Sequence, residues 1–244
     1  TSVLSQQKGE SKTITVEGGA QKSSYNISVV NYDKNRHFFL SQNFRAQYDK
    51  ALKNQPLIQS GIIINKIEVW VTNTKKETTA ARNIAAFIDL GEERQTVTYY
   101  GKPENVVLDR LLTYSGETAP DNDANSLYAR LTNSANKQLR NINDLSRILS
   151  DWNYEGGKNY EKVEFARKLA STEYTFDEKL GYLSLNTPLN SDEVLAVAYE
   201  YTLNGETYKV GEFSQDGTQH PSVLFLKLLK GTNFNPILPN WNLM

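Results

Sequence analysis

The residues able to do chemistry in this chain are few and poorly grouped. Cysteine is absent, which removes disulfides, thiolate nucleophiles and cysteine-ligated zinc. Histidine occurs only at His37 and His220, too sparsely for a multi-histidine metal site. Nothing marks either as a general base, so a surface or packed structural role is expected for both. Asp121-Asn122-Asp123-Ala124-Asn125 begins like a calcium loop, with oxygen side chains at alternate places. The pattern then breaks, because Ser126 stands where Gly is required and Thr132 where the bidentate Glu belongs. An ordinary solvated loop is the better reading. Glu155-Gly156-Gly157-Lys158 has part of a phosphate loop. It carries Trp152 in place of the first Gly and Asn159 in place of the Ser or Thr that would meet magnesium.

Paired carboxylates could serve glycoside hydrolysis if they flanked one bond. Glu92-Glu93 and Asp192-Glu193 are adjacent in sequence, and neighbours on a strand point to opposite faces. No G-x-G-x-x-G or G-x-S-x-G pattern is present. The aromatic residues are more numerous (Phe 9, Trp 3, Tyr 14) and suggest stacking on a sugar face. Packing within sheets explains Tyr199, Tyr201 and Tyr208 equally well. Trp70, on the more polar face of its strand, is the best single candidate for an exposed contact, although a place beneath another element is preferred. The sequon Asn26-Ile27-Ser28 adds little without a known host. The expectation is therefore no catalytic residue, no metal and no cofactor.

These residues need elements to hold them. Thr13–Val16 and Tyr25–Val30 read as short strands, and Phe38 to Leu52 as a helix stopped by Pro56. In Ile62–Asn73 the residues Ile63, Ile67, Val69 and Val71 share one face, with Asn65 as the exception, and Lys66, Glu68 and Trp70 share the other. Ile84, Ala86, Ile88 and Leu90 alternate likewise up to Gly91. Leu127 to Leu131 and Leu145 to Trp152 read as short helices, the second capped by Asn141 or Asn143. Tyr114–Asn125 is the best candidate loop. From Tyr160 the pattern is β. Asn204-Gly205 marks a two-residue hairpin turn. Pairing Leu203 with Glu206 puts Tyr201 opposite Tyr208, Tyr199 opposite Val210 and Glu200 opposite Lys209. Asp216-Gly217 marks a further turn, and Val223–Lys230 is a strand or a short helix.

The chain of 244 residues carries Lys plus Arg 27 against Asp plus Glu 28, a net charge of −1. That balance argues against a nucleic-acid binder or a polybasic membrane-surface module. Starting at Thr1 without a basic n-region or an h-region, it reads as an excised piece of a longer protein. The expected fold is α+β, mainly β, with antiparallel, sandwich-like sheets and several inserted short helices. A polar lead-in covers 1–12, a first lobe 13–155 and a second lobe 156–244, with Glu155-Gly156-Gly157 between the lobes.

Several blocks resemble the SprA family of gliding-motility and secretion proteins, called Sov in some species. They are Ile67–Asn73 (IEVWVTN), Ala81–Glu92 (ARNIAAFIDLGE), Ala166–Leu169 (ARKL) and Glu173–Asn186 (EYTFDEKLGYLSLN). Leu189–Gly217 (LNSDEVLAVAYEYTLNGETYKVGEFSQDG) is the longest, followed by Leu224–Lys230 (LFLKLLK) and Pro239–Met244 (PNWNLM). The resemblance covers most of residues 60–244 and is weaker before 60 and across 114–160. It carries no catalytic motif. It implies an outer-membrane component of the type IX secretion system of Bacteroidota, a very large transmembrane β-barrel that passes folded cargo. Barrel wall alternates over about ten residues between short turns, which this chain does not do. A folded insertion in or beside that barrel is expected, on the extracellular side more than the periplasmic. Its partners would be other secretion-system subunits, secreted cargo and the rest of its own barrel chain, with no nucleic acid and no small-molecule substrate. Enzyme activity is not expected. A cell-surface carbohydrate-binding module is the alternative, and a hydrolase is the third reading.

Overall fold

The computed structural model describes residues 34–74, 81–92, 119–216 and 218–233, and the backbone alone of four short strand pieces. In chain order, β1 (Ile14–Thr15) pairs antiparallel with β2 (Ser24–Tyr25). Then come β3 (His37–Phe39), α1 (Gln42–Ala51), β4 (Ile62–Val71) and β5 (Arg82–Phe87). The strand pieces β6 (Val97–Tyr99) and β7 (Lys102–Glu104) form an antiparallel pair. α2 (Leu127–Thr132) and α3 (Ile142–Asp151) are joined through a 3₁₀ segment, Ser134–Arg140. The rest is β: β8 (Tyr160–Lys168), β9 (Tyr174–Asp177), β10 (Tyr182–Leu185), β11 (Leu195–Leu203), β12 (Glu206–Val210) and β13 (Leu224–Lys230). The mainly β, α+β expectation holds, with antiparallel pairing throughout except the parallel contact of β13 with β5.

The principal sheet runs β12-β11-β13-β5-β8-β4, and β11 also pairs with β4. That last ladder closes β4, β11, β13, β5 and β8 into a barrel, which removes the open edges of those strands. Strands from both sides of Glu155-Gly156-Gly157 share it, β4 and β5 from before and β8, β11 and β13 from after. Its interior is one apolar cluster with contributions from every wall strand. Trp70 and Ile84 meet Val163, Ala196 and Leu226 there. Small Ala86, Ala196 and Ala198 make room for the Trp70 indole, which is 0% exposed. The indole N–H has no hydrogen-bond partner among the described residues, so Trp70 serves the core by volume.

Two layers cover the outside. The sheet β3-β10-β9, with α1, packs Phe38, Phe44, Leu183 and Leu185 against Val69, Val197 and Tyr199 on the outside of the barrel. On the other side α2 and α3 pack Leu127, Leu145 and Leu149 against Phe87 and Phe225. Strands β5 and β13 are thus buried on both faces, which explains the apolar runs Ile84–Phe87 and Leu224–Leu226.

The hairpin forms in the expected register, from Leu203↔Glu206 to Tyr199↔Val210. Asn204 (φ 52°) and Gly205 (φ 88°) supply the two positive-φ positions of its turn. Other expectations shift. The helix expected from Phe38 starts only at Gln42, because Phe38 and Phe39 pair with Leu183 and Tyr182 as an edge strand. Ser41 caps it, its Oγ accepting the Phe44 N–H at 3.1 Å. Asn141 caps α3. On β4 the register skips Asn65, since Glu200 faces Lys66 and Tyr201 faces Ile64. This bulge inverts the alternation, so Ile62 and Ile64 go inward and Ile63 is left 51% exposed. Residues 1–12, Asn26, Glu93, 114–118, Gly217 and 239–244, on which other expectations rest, lie outside the described residues.

Trp70→Ala is expected to cost about 3–5 kcal/mol by emptying the barrel interior. Ile63→Ala on the same strand is expected to change stability by no more than about 0.5 kcal/mol. Urea unfolding midpoints of the two variants check both values.

Candidate functional site

Asp121, Glu92 and Glu193, among the acidic residues singled out by spacing, accept backbone N–H groups within the fold. Asp121 Oδ1 accepts the N–H of Asn122 at 2.8 Å and of Lys209 at 3.2 Å. Asn122 brackets Gly211, accepting its N–H at 2.8 Å and donating to its carbonyl at 3.3 Å. Asn125 donates to the carbonyls of Asp89 and Glu92 and accepts the Leu127 N–H. The calcium-like segment is therefore a staple between β12, the turn after β5 and the start of α2, with the side chains of Asp121, Asn122 and Asn125 facing backbone groups and Asp123 exposed. In the Glu155–Asn159 turn, Glu155 N–H donates to Asn159 Oδ1 and Asn159 N–H returns to the Glu155 carbonyl. Gly157 N–H donates to Tyr160, so these amides are committed internally and not offered to a phosphate.

Three buried charge clusters fix the layers. Glu92 meets Lys227 at 3.0 Å, both side chains almost wholly buried, and its Oε1 also accepts the Gln42 N–H. Lys227 Nζ donates in addition to the Ile88 carbonyl. Glu212 takes both arms of Arg140 at 2.6 Å, the Phe225 N–H at 2.9 Å and the Tyr128 hydroxyl at 3.2 Å. Burial, then the Glu212 charge, push the Tyr128 phenol up. Glu68 accepts from Lys168 at 2.6 Å and from the N–H and hydroxyl of Ser214, both at 2.9 Å. Burial pushes the Glu68 carboxyl upward, but these donors outweigh it and hold it below the ordinary value. Of the second carboxylate pair, Glu193 accepts the Asn190 N–H in an exposed turn. His37 Nδ1 lies 2.8 Å from Ser184 Oγ, and His220 sits in the exposed turn before β13, on a different element.

The aromatic residues weighed for stacking on a sugar are spent in packing, the arrangement preferred from the sequence. Trp70 is interior. Phe44 meets Tyr201 edge-on at 5.2 Å, Tyr201 stacks on Tyr208 at 5.3 Å, and the Tyr201 hydroxyl donates to the Pro120 carbonyl.

What the surface does offer is Phe165. Between Ala166↔Arg82 and Val163↔Ile84, β8 has one residue more than β5. The bulge holds Phe165 at φ 53° with its ring 55% exposed, 6.4 Å from the His220 ring. A left-handed conformation costs a side chain such as Phe roughly 1–2 kcal/mol. It persists because Asn83 Oδ1 accepts the Phe165 N–H at 3.1 Å while Asn83 Nδ2 holds the Pro221 carbonyl. Arg82 ties down the Thr218 and Ser222 carbonyls of the same turn. The sequence clue was the apolar doublet Phe165-Ala166, which breaks strict alternation. A second feature, a pocket of about 180 Å³, lies between α1, the start of β4 and the end of β11.

A family model, SprA_N, described as a motility related/secretion protein, matches residues 1–197. The chain belongs to the SprA_N family. Among curated proteins no match is found. The match includes the N-terminal residues, where the resemblance looked weaker. It ends at Val197 inside β11, so the ladder and the β13 strand that close this SprA_N barrel lie partly or wholly beyond it.

The depressed Glu68 value gives a sign for acid sensitivity. Its stabilisation is complete above the unfolded value of 4.5 and is lost as pH falls through the lower folded value. Glu68→Gln should therefore flatten the decline in stability below pH 4.5 and cost about 1–3 kcal/mol at pH 7. Urea titrations across that pH range check both.

Proposed function

We propose that this chain is a structural and docking domain of a type IX protein secretion translocon, a folded insertion in or beside a giant outer-membrane β-barrel. Membership of a motility and secretion family is the observation that carries the reading. The placement of the carboxylates supports a role without catalysis: Glu68, Glu92 and Glu212 face cations and backbone donors inside the fold. A closed barrel clamped between two outer layers is a rigid body, suited to narrowing a pore mouth or to seating a partner. The extracellular side is favoured because long insertions of outer-membrane barrels lie there, whereas periplasmic turns are short. Other secretion subunits, cargo and the parent barrel are the proposed contacts.

Phe165 is the proposed contact residue. Strain held by dedicated partners around an exposed ring is a feature of sites where function, more than stability, sets the backbone. Phe165→Gly relieves the left-handed strain and is expected to raise stability by up to about 1 kcal/mol while weakening partner capture. Chemical unfolding of the purified chain and co-purification of secretion subunits with the full-length protein read the two effects.

Deleting residues 60–230 from the full-length protein is expected to raise outer-membrane permeability or block cargo release. Unchanged behaviour in both assays would reject the reading.

A further inference from the structure

The pocket at α1 has a composition that selects a ligand. Ala51, Ile62, Leu180 and Leu203 give it apolar walls. Lys50 and Lys179 stand on its rim, both exposed, and no carboxylate lines it. Among the described residues neither ammonium has an ion-pair partner. The nearby Asp177 carboxylate is turned to its own chain, accepting the N–H groups of Lys179 and Leu180 at 2.9 and 2.8 Å.

The walls are fixed in advance. The Glu178 carbonyl accepts the Ile64 N–H at 2.9 Å, which pins the β9–β10 turn to β4. Gly181 (φ 66°) presses that turn so closely on Phe44 that a Cβ there would meet the ring at 2.3 Å. Ser41 and Glu92 hold the first turn of α1. A preformed pocket avoids much of the ordering cost of binding.

Its size limits the occupant. Ligand sites for drug-sized molecules run to about 300–1,000 Å³, whereas a cavity of about 150 Å³ admits one benzene ring. About 180 Å³ therefore takes a single ring or branched aliphatic group. We infer that the pocket binds an acidic polypeptide segment by one apolar side chain, with flanking carboxylates on Lys50 and Lys179. This deepens, and rests on, the reading of the chain as a docking domain, and it names the chemistry of a partner.

The test uses the 244-residue chain and a fluorescein-labelled, C-terminally amidated peptide of sequence Gly-Asp-Phe-Glu-Gly. Fluorescence polarisation is expected to show saturable binding, lost when both acids of the peptide become Lys. The double variant Lys50→Glu, Lys179→Glu should weaken binding about tenfold, as two rim attractions become repulsions, and should bind the Lys-flanked peptide instead. Both substitutions are on exposed side chains, and an unchanged urea midpoint verifies the fold. Absence of binding, equal binding of both peptides, or an indifferent double variant would each overturn the inference. If the peptide fails to bind while the 60–230 deletion still disturbs secretion, the pocket assignment alone is wrong. If the peptide binds and the deletion is silent, the translocon reading falls and the pocket stands.

Discussion

Strand β11 is the element on which the rest depends, because both its edges and both its faces are in use. One edge runs against β4 from Leu195 to Leu203, and the other is shared between β13 at its start and β12 beyond. Ala196 and Ala198 face the barrel interior, while Leu195, Val197, Tyr199 and Tyr201 face the outer sheet and α1. Without the β4 ladder the sheet would be open, and a row of unpaired backbone groups would be exposed along β4 and β11. Closure also fixes side-chain size. A barrel of so few strands has room only for side chains, so alanines on β5 and β11 are required where Trp70 enters.

Closing a small barrel and then covering it creates an electrostatic problem, because polar chain must pass through buried space. The buried charges answer it in the same way each time. Lys227, on the doubly covered strand β13, is matched by Glu92 and the Ile88 carbonyl, at the seam between the two outer layers. Glu212 joins Arg140 of the helical layer to the backbone of β13. Glu68 joins β4 to β8 through Lys168 and to the segment after β12 through Ser214. Such pairs add little net stability over an apolar core, but removing one partner strands a charge, so they penalise wrong layer pairings.

Local order was legible in the sequence wherever a period and a turn agreed. The β11–β12 hairpin was readable to the residue because Asn204-Gly205 fixes the loop and a slip by one would expose its tyrosines. The runs of β5 and β13 were readable as strands but not as barrel staves, since closure depends on a β4–β11 contact more than a hundred residues apart. One bulge defeated parity counting on β4, and a second lay in β8, where only a β pattern was read. At Asn65 an extra residue exchanged the faces of Ile63 and Ile64, and at Phe165 an extra residue sent an aromatic outward. The start of α1 was misplaced because Leu40 and Phe44 fit a helical period, while Ser41, the true cap, looked unremarkable between them. The pocket was invisible for a different reason: its walls come from α1, β4, the β9–β10 turn and β11, and no window of sequence contains them together.

The same two bulges also separate structure from function. The one at Asn65 is stabilised by its own cross-strand bond to Thr202 at 2.7 Å, and it merely re-aims the strand to keep Ile62 and Ile64 in the core. The one at Phe165 brings no apolar surface inward. It removes a large ring from a position where Ala166 already fills the interior, and it needs Asn83 to hold it in a backbone region costly for a residue such as phenylalanine. A fold optimised for stability alone would place glycine or asparagine there. That phenylalanine occupies the site, its ring 6.4 Å from that of His220 and its backbone held by Asn83, is the physical basis for reading this face as a contact surface.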